Sequence, residues 1–482
     1  MKENKKSVSY GIRYNSINGI STVLSRLFRG LVIPKILGPL SFGLFGSIAL
    51  FTRYLYLFDF GSPAYFFKEI AKLDYEKKSE RYLQLVSQTF SILIFGVFLS
   101  SLVLMALGFT YRGENSDFYT AAIFLTIPTY ALTKVREYYM LFLAGTGQYR
   151  KFSLLKILEN WVLLIFVSVG VYLYGALGGV SAMLMSEIIL VSSVLSVVDL
   201  RPRFHLDFSV LRKIKLYLDQ YLIQITEMIA VTADQVLLLF IFGPIGFGLY
   251  ILGLSIAWIY EALSEVINNA FYPKIMKASV SSKDDSINVL QLSICMYLIA
   301  SALFVPGAVV GLNWLILGYF SDYESGLDIF FILLFFGISR GGLALLKKGY
   351  IATNKERMYI GISMFSIVMN CVFAIYAYIS ELSLNNAVYS LSIINLIVYS
   401  IYYLLLVSTR HVYYFLNIIL ILGLFLALTI IQMSIRDLLS GFDINIFFAI
   451  TISLYTLPVS LAWHHRKSIA EFLNRFVSVS NG

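Results

Sequence analysis

Arg26 and Arg29 stand three residues apart inside an otherwise apolar run. At helical spacing both guanidiniums lie on one side. Paired guanidinium forks make charge-assisted bonds to phosphate or carboxylate. A cation near the bilayer centre costs about 2.5–3.5 kcal/mol on insertion scales, so such residues turn toward a bundle interior or a watery cavity. Pro34 then interrupts the helix and Gly38-Pro39 turns the chain. The chemistry these residues offer is capture of an anionic group within a membrane. The competing reading is a structural ion pair with Asp234 or Glu227.

Three further cations are candidates for the same anion. Arg53 sits in the next apolar run, close enough to its inner end to snorkel to the interface instead. Arg340 is midway along a later run, too deep for that escape. Lys134 and Arg136 are two residues apart and point about 200° from each other round a helix, so they cannot both face one cavity. Lys134 also has Glu137 three residues on, the spacing of a local ion pair.

Among the acids, Glu227 and Asp234 share one face of a helix, and Glu187 is central in an apolar run. A buried carboxylate without a partner takes up a proton, which makes these three candidates for H+ or Na+ coupling. Salt bridges to the arginines are the alternative. Asp59 and Glu159 lie near inner ends of their runs and are expected at the interface. His205, His411, His464 and His465 have no metal-ligand spacing, so no metal or cofactor is expected. Cys295 and Cys371 lie apart in apolar runs and read as small packing residues.

The elements that carry these groups follow from composition. Of 482 residues, 59% are hydrophobic and only 13% charged, against about 25% charged in a soluble domain. Mean hydropathy is +0.78. This is an all-α membrane protein, with no polar stretch long enough to form a soluble core. The formal charge of +9 is carried largely in short loops, where anionic headgroups and not nucleic acid answer it. The basic N-terminus leads into a run without an A-x-A-like site, read as a retained first span.

Runs of about 20 apolar residues fall near 15–36, 42–60, 84–108, 118–144, 154–174, 177–198, 217–242, 245–266, 287–312, 326–350, 359–379, 383–407, 415–435 and 443–463. Fourteen spans with both termini inside put 28 of the 37 Lys and Arg on the inner side. Only Lys35, Arg112 and Arg436 fall outside, and the remaining six lie within spans, the asymmetry that cytoplasmic loops show.

The chain also repeats itself. Leu37–Phe45 (LGPLSFGLF) aligns with Phe242–Tyr250 (FGPIGFGLY), five of nine positions identical, and the same offset pairs Phe66 with Phe271 and Ile70 with Ile275. The expected organisation is a six-helix lobe over 1–205, a second over 206–407 and two further helices over 408–482. An even number of spans per copy relates the lobes by an axis along the membrane normal. The offset also sets Arg29 opposite Asp234, and suggests a charge pair between the copies. Gly38, Gly43 and Gly46 are small steps that permit close helix packing.

With the opening span running into LGPLSFGLFG, FDFG at 58–61, DQVLLLFIFGPIGFGLY at 234–250 and the turns AGTGQYRK and IATNKER, the chain resembles the multidrug/oligosaccharidyl-lipid/polysaccharide flippase superfamily. Within it the likeness is to O-antigen (Wzx-type) polysaccharide flippases, although fourteen spans exceed what many of those show. The resemblance implies two six-span lobes round a central cavity in the bacterial inner membrane. It also implies transfer of an undecaprenyl-diphosphate-linked oligosaccharide to the outer leaflet, and other polysaccharide-assembly proteins as partners. Arg26 or Arg29, together with Arg53, match the placing of cavity arginines in related peptidoglycan-precursor flippases. A drug/cation antiporter of the same superfamily is the competing reading. A polysaccharide polymerase or ligase would want a sizeable outer loop, and the expected outer links are short.

Overall fold

The computed structural model describes residues 2–70, 80–110, 113–198, 200, 202, 204, 218–281 and 283–406. Among these residues the regular elements are all helical. They run α1 (Lys2–Tyr54), a 3-10 turn (Leu55–Asp59), α2 (Ser62–Ile70), α3 (Glu80–Thr110), α4 (Ser116–Gly145) and α5 (Tyr149–Val197). Then come α6 (Leu218–Ser281), α7 (Lys283–Tyr319), a second 3-10 turn (Ser321–Gly326), α8 (Leu327–Ala352), α9 (Glu356–Ile379) and α10 (Leu384–Leu406). Seven of the described helices are long and apolar enough to cross a membrane. The expected spans at 415–435 and 443–463, and all four histidines, lie outside the described residues.

The longest helices exceed a single crossing. The 53 residues of α1 would extend about 80 Å if straight, against about 30 Å of hydrocarbon. The chain breaks at Gly38, whose φ of 68° and ψ of 172° lie in a region essentially reserved for glycine. Pro39 follows, where a missing N–H costs nothing at the start of the next helical segment. α6 repeats the device at Gly243-Pro244, with φ 65° and ψ −172°. α5 turns at Tyr174-Gly175. The first break is the turn read from the sequence at Gly38-Pro39, and the other two fall in the gaps between the expected runs 154–174 and 177–198 and between 217–242 and 245–266.

The two Gly-Pro copies meet. A Cβ on Gly43 would run into the Pro244 carbonyl and come within 3.1 Å of the Gly248 amide nitrogen, and one on Gly248 would run into the Pro39 carbonyl and come within 3.1 Å of the Gly43 nitrogen. Each copy thus lays its glycine against the other's proline carbonyl, the reciprocal contact that a two-fold relation produces. Gly46 lies close against Ile251, its equivalent in the other copy. Absent side chains let two backbones cross this closely.

The described chain forms two compact units. The first comprises residues up to Ile259 with Asp328–Phe330 and Asn354–Asn395. Its core groups Tyr65, Phe66, Tyr82, Val86, Tyr138 and Phe142 from α2, α3 and α4. There Phe66 stacks on Tyr138 at 4.7 Å, and the Tyr138 hydroxyl donates to the Val86 carbonyl at 2.7 Å. The second unit comprises Tyr260–Leu327, Phe331–Thr353 and the described residues from Leu396 on. In it the Tyr297 and Tyr350 hydroxyls donate to the carbonyls of Ile338 and Tyr402.

Candidate functional site

A cavity of about 420 Å³ opens in the first unit, within the range of small-molecule sites. It is built where α1 ends. The 3-10 turn Leu55–Asp59 is closed by Phe60 and Gly61, both in left-handed backbone, with φ of 50° and 73°. The turn is pinned from three sides. Tyr130 donates to the Leu55 carbonyl at 2.9 Å, Tyr221 donates to the Leu57 carbonyl, and Gly96 of α3 lies against the Phe58 carbonyl. The FDFG motif therefore presents Asp59 to α4.

Lys134 receives it. Its ammonium donates to Asp59 Oδ2 at 2.7 Å and to Glu137 Oε2 at 3.1 Å, and sits 3.4 Å from the centroid of the Tyr56 ring. The Tyr130 ring is 5.4 Å away, and the Tyr56 hydroxyl donates to the second Glu137 oxygen at 2.8 Å. Lys134 is only 1% exposed. Two carboxylates and two aromatic faces offset the cost of holding an ammonium there. Arg53 lines the cavity beside this group, its guanidinium 5.9 Å from the Trp258 ring centroid. Tyr138, Tyr221, Gln224 and Met228 complete an aromatic and polar wall. Two cations and two carboxylates give the lining zero formal charge.

Arg136, on the other face of α4, serves a different partner set. Its Nε and Nη2 reach the two Glu187 oxygens at 2.8 and 3.0 Å, while Nη1 lies 2.6 Å from Glu159. Lys156 closes on Glu159 at 2.9 Å. Glu187 is thus held by a bidentate ion pair outside the cavity lining. Asp59 and Glu159, expected at the interface, each answer a buried cation.

Of the candidate substrate contacts, the cavity brings together Arg53 and Lys134. Arg26 is exposed and Arg29 half-buried on α1, where Arg29 Nε donates weakly to the Ser25 carbonyl at 3.4 Å. Neither lines this cavity. Arg340 is buried in the second unit, its guanidinium 4.8 Å from the Phe336 ring centroid. Of the coupling candidates, Asp234 is 2% exposed and accepts hydrogen bonds from the Tyr250 hydroxyl and the Gln235 N–H. Glu227 is half-buried on the same helix.

No family model matches the chain, and no curated protein matches it in sequence. Solved structures do. The lipid II flippase MurJ in its inward closed conformation aligns with a TM-score of 0.59 and 14% identity, over 95% of this chain and 99% of that one. An outward-facing MATE family multidrug resistance transporter of the MOP superfamily gives 0.56 and 16% identity, over 83% and 94%. A MATE protein in complex with MaL6 gives 0.52 and 15% identity, over 82% and 95%. The chain has the fold of these transporters.

Within this transporter fold, sequence reasoning missed Asp59, Tyr56 and Tyr221 as site residues. The one available signal was FDFG itself, an acid inside a turn motif, directly after a span that carries a candidate arginine.

Proposed function

We propose that the chain is a flippase that carries a polyprenyl-diphosphate-linked oligosaccharide, an O-antigen or capsule repeat unit, from the inner to the outer leaflet by alternating access. The observation that carries this reading is the cavity in which the Arg53 guanidinium and the Lys134 ammonium stand among tyrosine rings. The diphosphate is the part of such a substrate most costly to move through hydrocarbon. Charge-assisted bonds from Arg53 and Lys134 offset that cost; Arg26, Arg29 and Arg340, which do not line this cavity, are kept as separate candidate contacts. Tyrosine faces suit sugar rings, and the polyprenyl tail stays in lipid. The fold shared with a lipid II flippase over nearly the whole of both chains supports the reading.

The proposal includes two lobes, 1–205 and 206–407, rocking about the axis between them, with 408–482 as two added helices. Asp234 and Glu227 are the candidate groups for H+ or Na+ coupling, while the ion pair to Arg136 gives Glu187 the structural role that was its alternative. The setting is a bacterial inner membrane with both termini cytoplasmic, beside other polysaccharide-assembly proteins. A second reading, a cation-coupled multidrug antiporter, is favoured by the likeness to MATE transporters and by the two carboxylates at the cavity.

Depletion of the protein separates the two. A flippase predicts accumulation of lipid-linked oligosaccharide on the cytoplasmic leaflet, reproduced by Arg53→Ala. Drug efflux that survives Arg53→Ala, with glycan export intact, refutes the flippase.

A further inference from the structure

Lys134 has no spare donor in this conformation. Two of its N–H directions go to Asp59 and Glu137, and the face of Tyr56 covers the ammonium at 3.4 Å. An anion that enters the cavity reaches Lys134 only by replacing a carboxylate. The two carboxylates are not equally replaceable. Asp59 makes the shorter contact, 2.7 Å against 3.1 Å, and its side chain is 14% exposed against 33% for Glu137. Asp59 also rides on a turn fixed by three neighbours, whereas among the described residues Glu137 is held otherwise by the hydroxyl of an exposed tyrosine.

From this we infer that Glu137 is a resident counter-anion that selects the substrate. A diphosphate group displaces it from Lys134, Tyr56 releases it, and Asp59 keeps the ammonium in place. This deepens the flippase reading and rests on it. Only an anion carrying more charge than one carboxylate competes well, since it gains both Lys134 and Arg53 while Glu137 moves to water. Monoanionic lipids are thereby rejected, although they are far more abundant in the bilayer. The specificity works by repulsion and prior occupancy, in addition to attraction.

The test uses the full-length protein in phosphatidylcholine nanodiscs, with a short-chain polyprenyl diphosphate and a short-chain phosphatidylglycerol, a phosphodiester of one charge, as probes. Wild type should prefer the diphosphate. Glu137→Gln keeps the shape and removes the charge, and should tighten phosphatidylglycerol binding about tenfold, since a full charge a few Å from the anion is lost in a partly wet site. Adding Lys134→Ala should erase that gain. Tyr56→Phe leaves the ring over Lys134 but removes the restraint on Glu137, and should shift selectivity the same way by less. It also guards against a folding defect in the first variant. Diphosphate binding that depends on Arg53, with selectivity unmoved by Glu137→Gln and Tyr56→Phe, overturns this inference alone. Failure of the wild type to bind the diphosphate overturns the flippase reading and this inference together.

Discussion

Alanine at Gly43 and at Gly248 tests the reciprocal crossing of the two Gly-Pro copies. Two effects oppose each other. Alanine in place of a helical glycine gains about 0.8–1 kcal/mol of helix propensity. The added methyl, however, would occupy the space of a backbone carbonyl, Pro244 for one and Pro39 for the other, and overpacking of that kind costs about 1–3 kcal/mol. Backbone yields less readily than a side-chain tip, so the steric cost wins. With full overlap on a backbone carbonyl the steric cost lies at the upper end of its range, so each variant should lose about 1–2 kcal/mol net, measured by reversible unfolding in mixed micelles. Gly361→Ala is the control, because nothing lies within 4 Å of its added methyl, and it should be neutral or stabilising. The double variant is the sharper measurement. Once one methyl has pushed the segments apart, the second finds room, so the joint loss should fall short of the sum by about 0.5 kcal/mol or more. Stabilisation by either alanine, or simple additivity, would mean that the segments do not cross backbone to backbone.

Three other outcomes follow from the geometry. Arg136→Ala strands the buried Glu187 and leaves Glu159 with Lys156, and should cost about 3–5 kcal/mol in the same unfolding assay, whereas Arg136→Met with Glu187→Leu should recover much of it. Gly38→Ala meets no neighbour within 4 Å, so its loss of about 1–3 kcal/mol should come from the backbone alone and be matched by Gly243→Ala. Tyr138→Phe removes the bond to the Val86 carbonyl while keeping the stack on Phe66, and should cost about 1 kcal/mol in thermal stability.

What could be read from the sequence was local. The turns at Gly38, Gly175 and Gly243 were legible because glycine and proline limit the backbone directly. The divergence of Lys134 and Arg136, and the pairing of Lys134 with Glu137, were legible because helix geometry sets both. Longer-range partners were not. Asp59 meets Lys134 across 75 residues and Glu187 meets Arg136 across 51, and no spacing rule reaches that far. Asp59 read as an interfacial acid because its distance from a span end carries no information about what faces it. The offset that set Arg29 opposite Asp234 aligned the copies, yet an alignment does not say what an aspartate accepts from. Two of the bonds to Asp234 come from Tyr250 and the Gln235 N–H, both on α6 itself.

Arg136 has a mechanical consequence. Glu159 and Glu187 stand on opposite sides of the Tyr174-Gly175 break, so one guanidinium braces both limbs of α5 against α4. A bent helix ordinarily offers a hinge, but flexing here would tear an ion pair away from two acids at once. Those three limbs travel as one rigid strut. Residues 55–61, tied to α4, α6 and α3, hold Asp59 still beside that strut, so a change in the cavity falls to the Glu137 side chain.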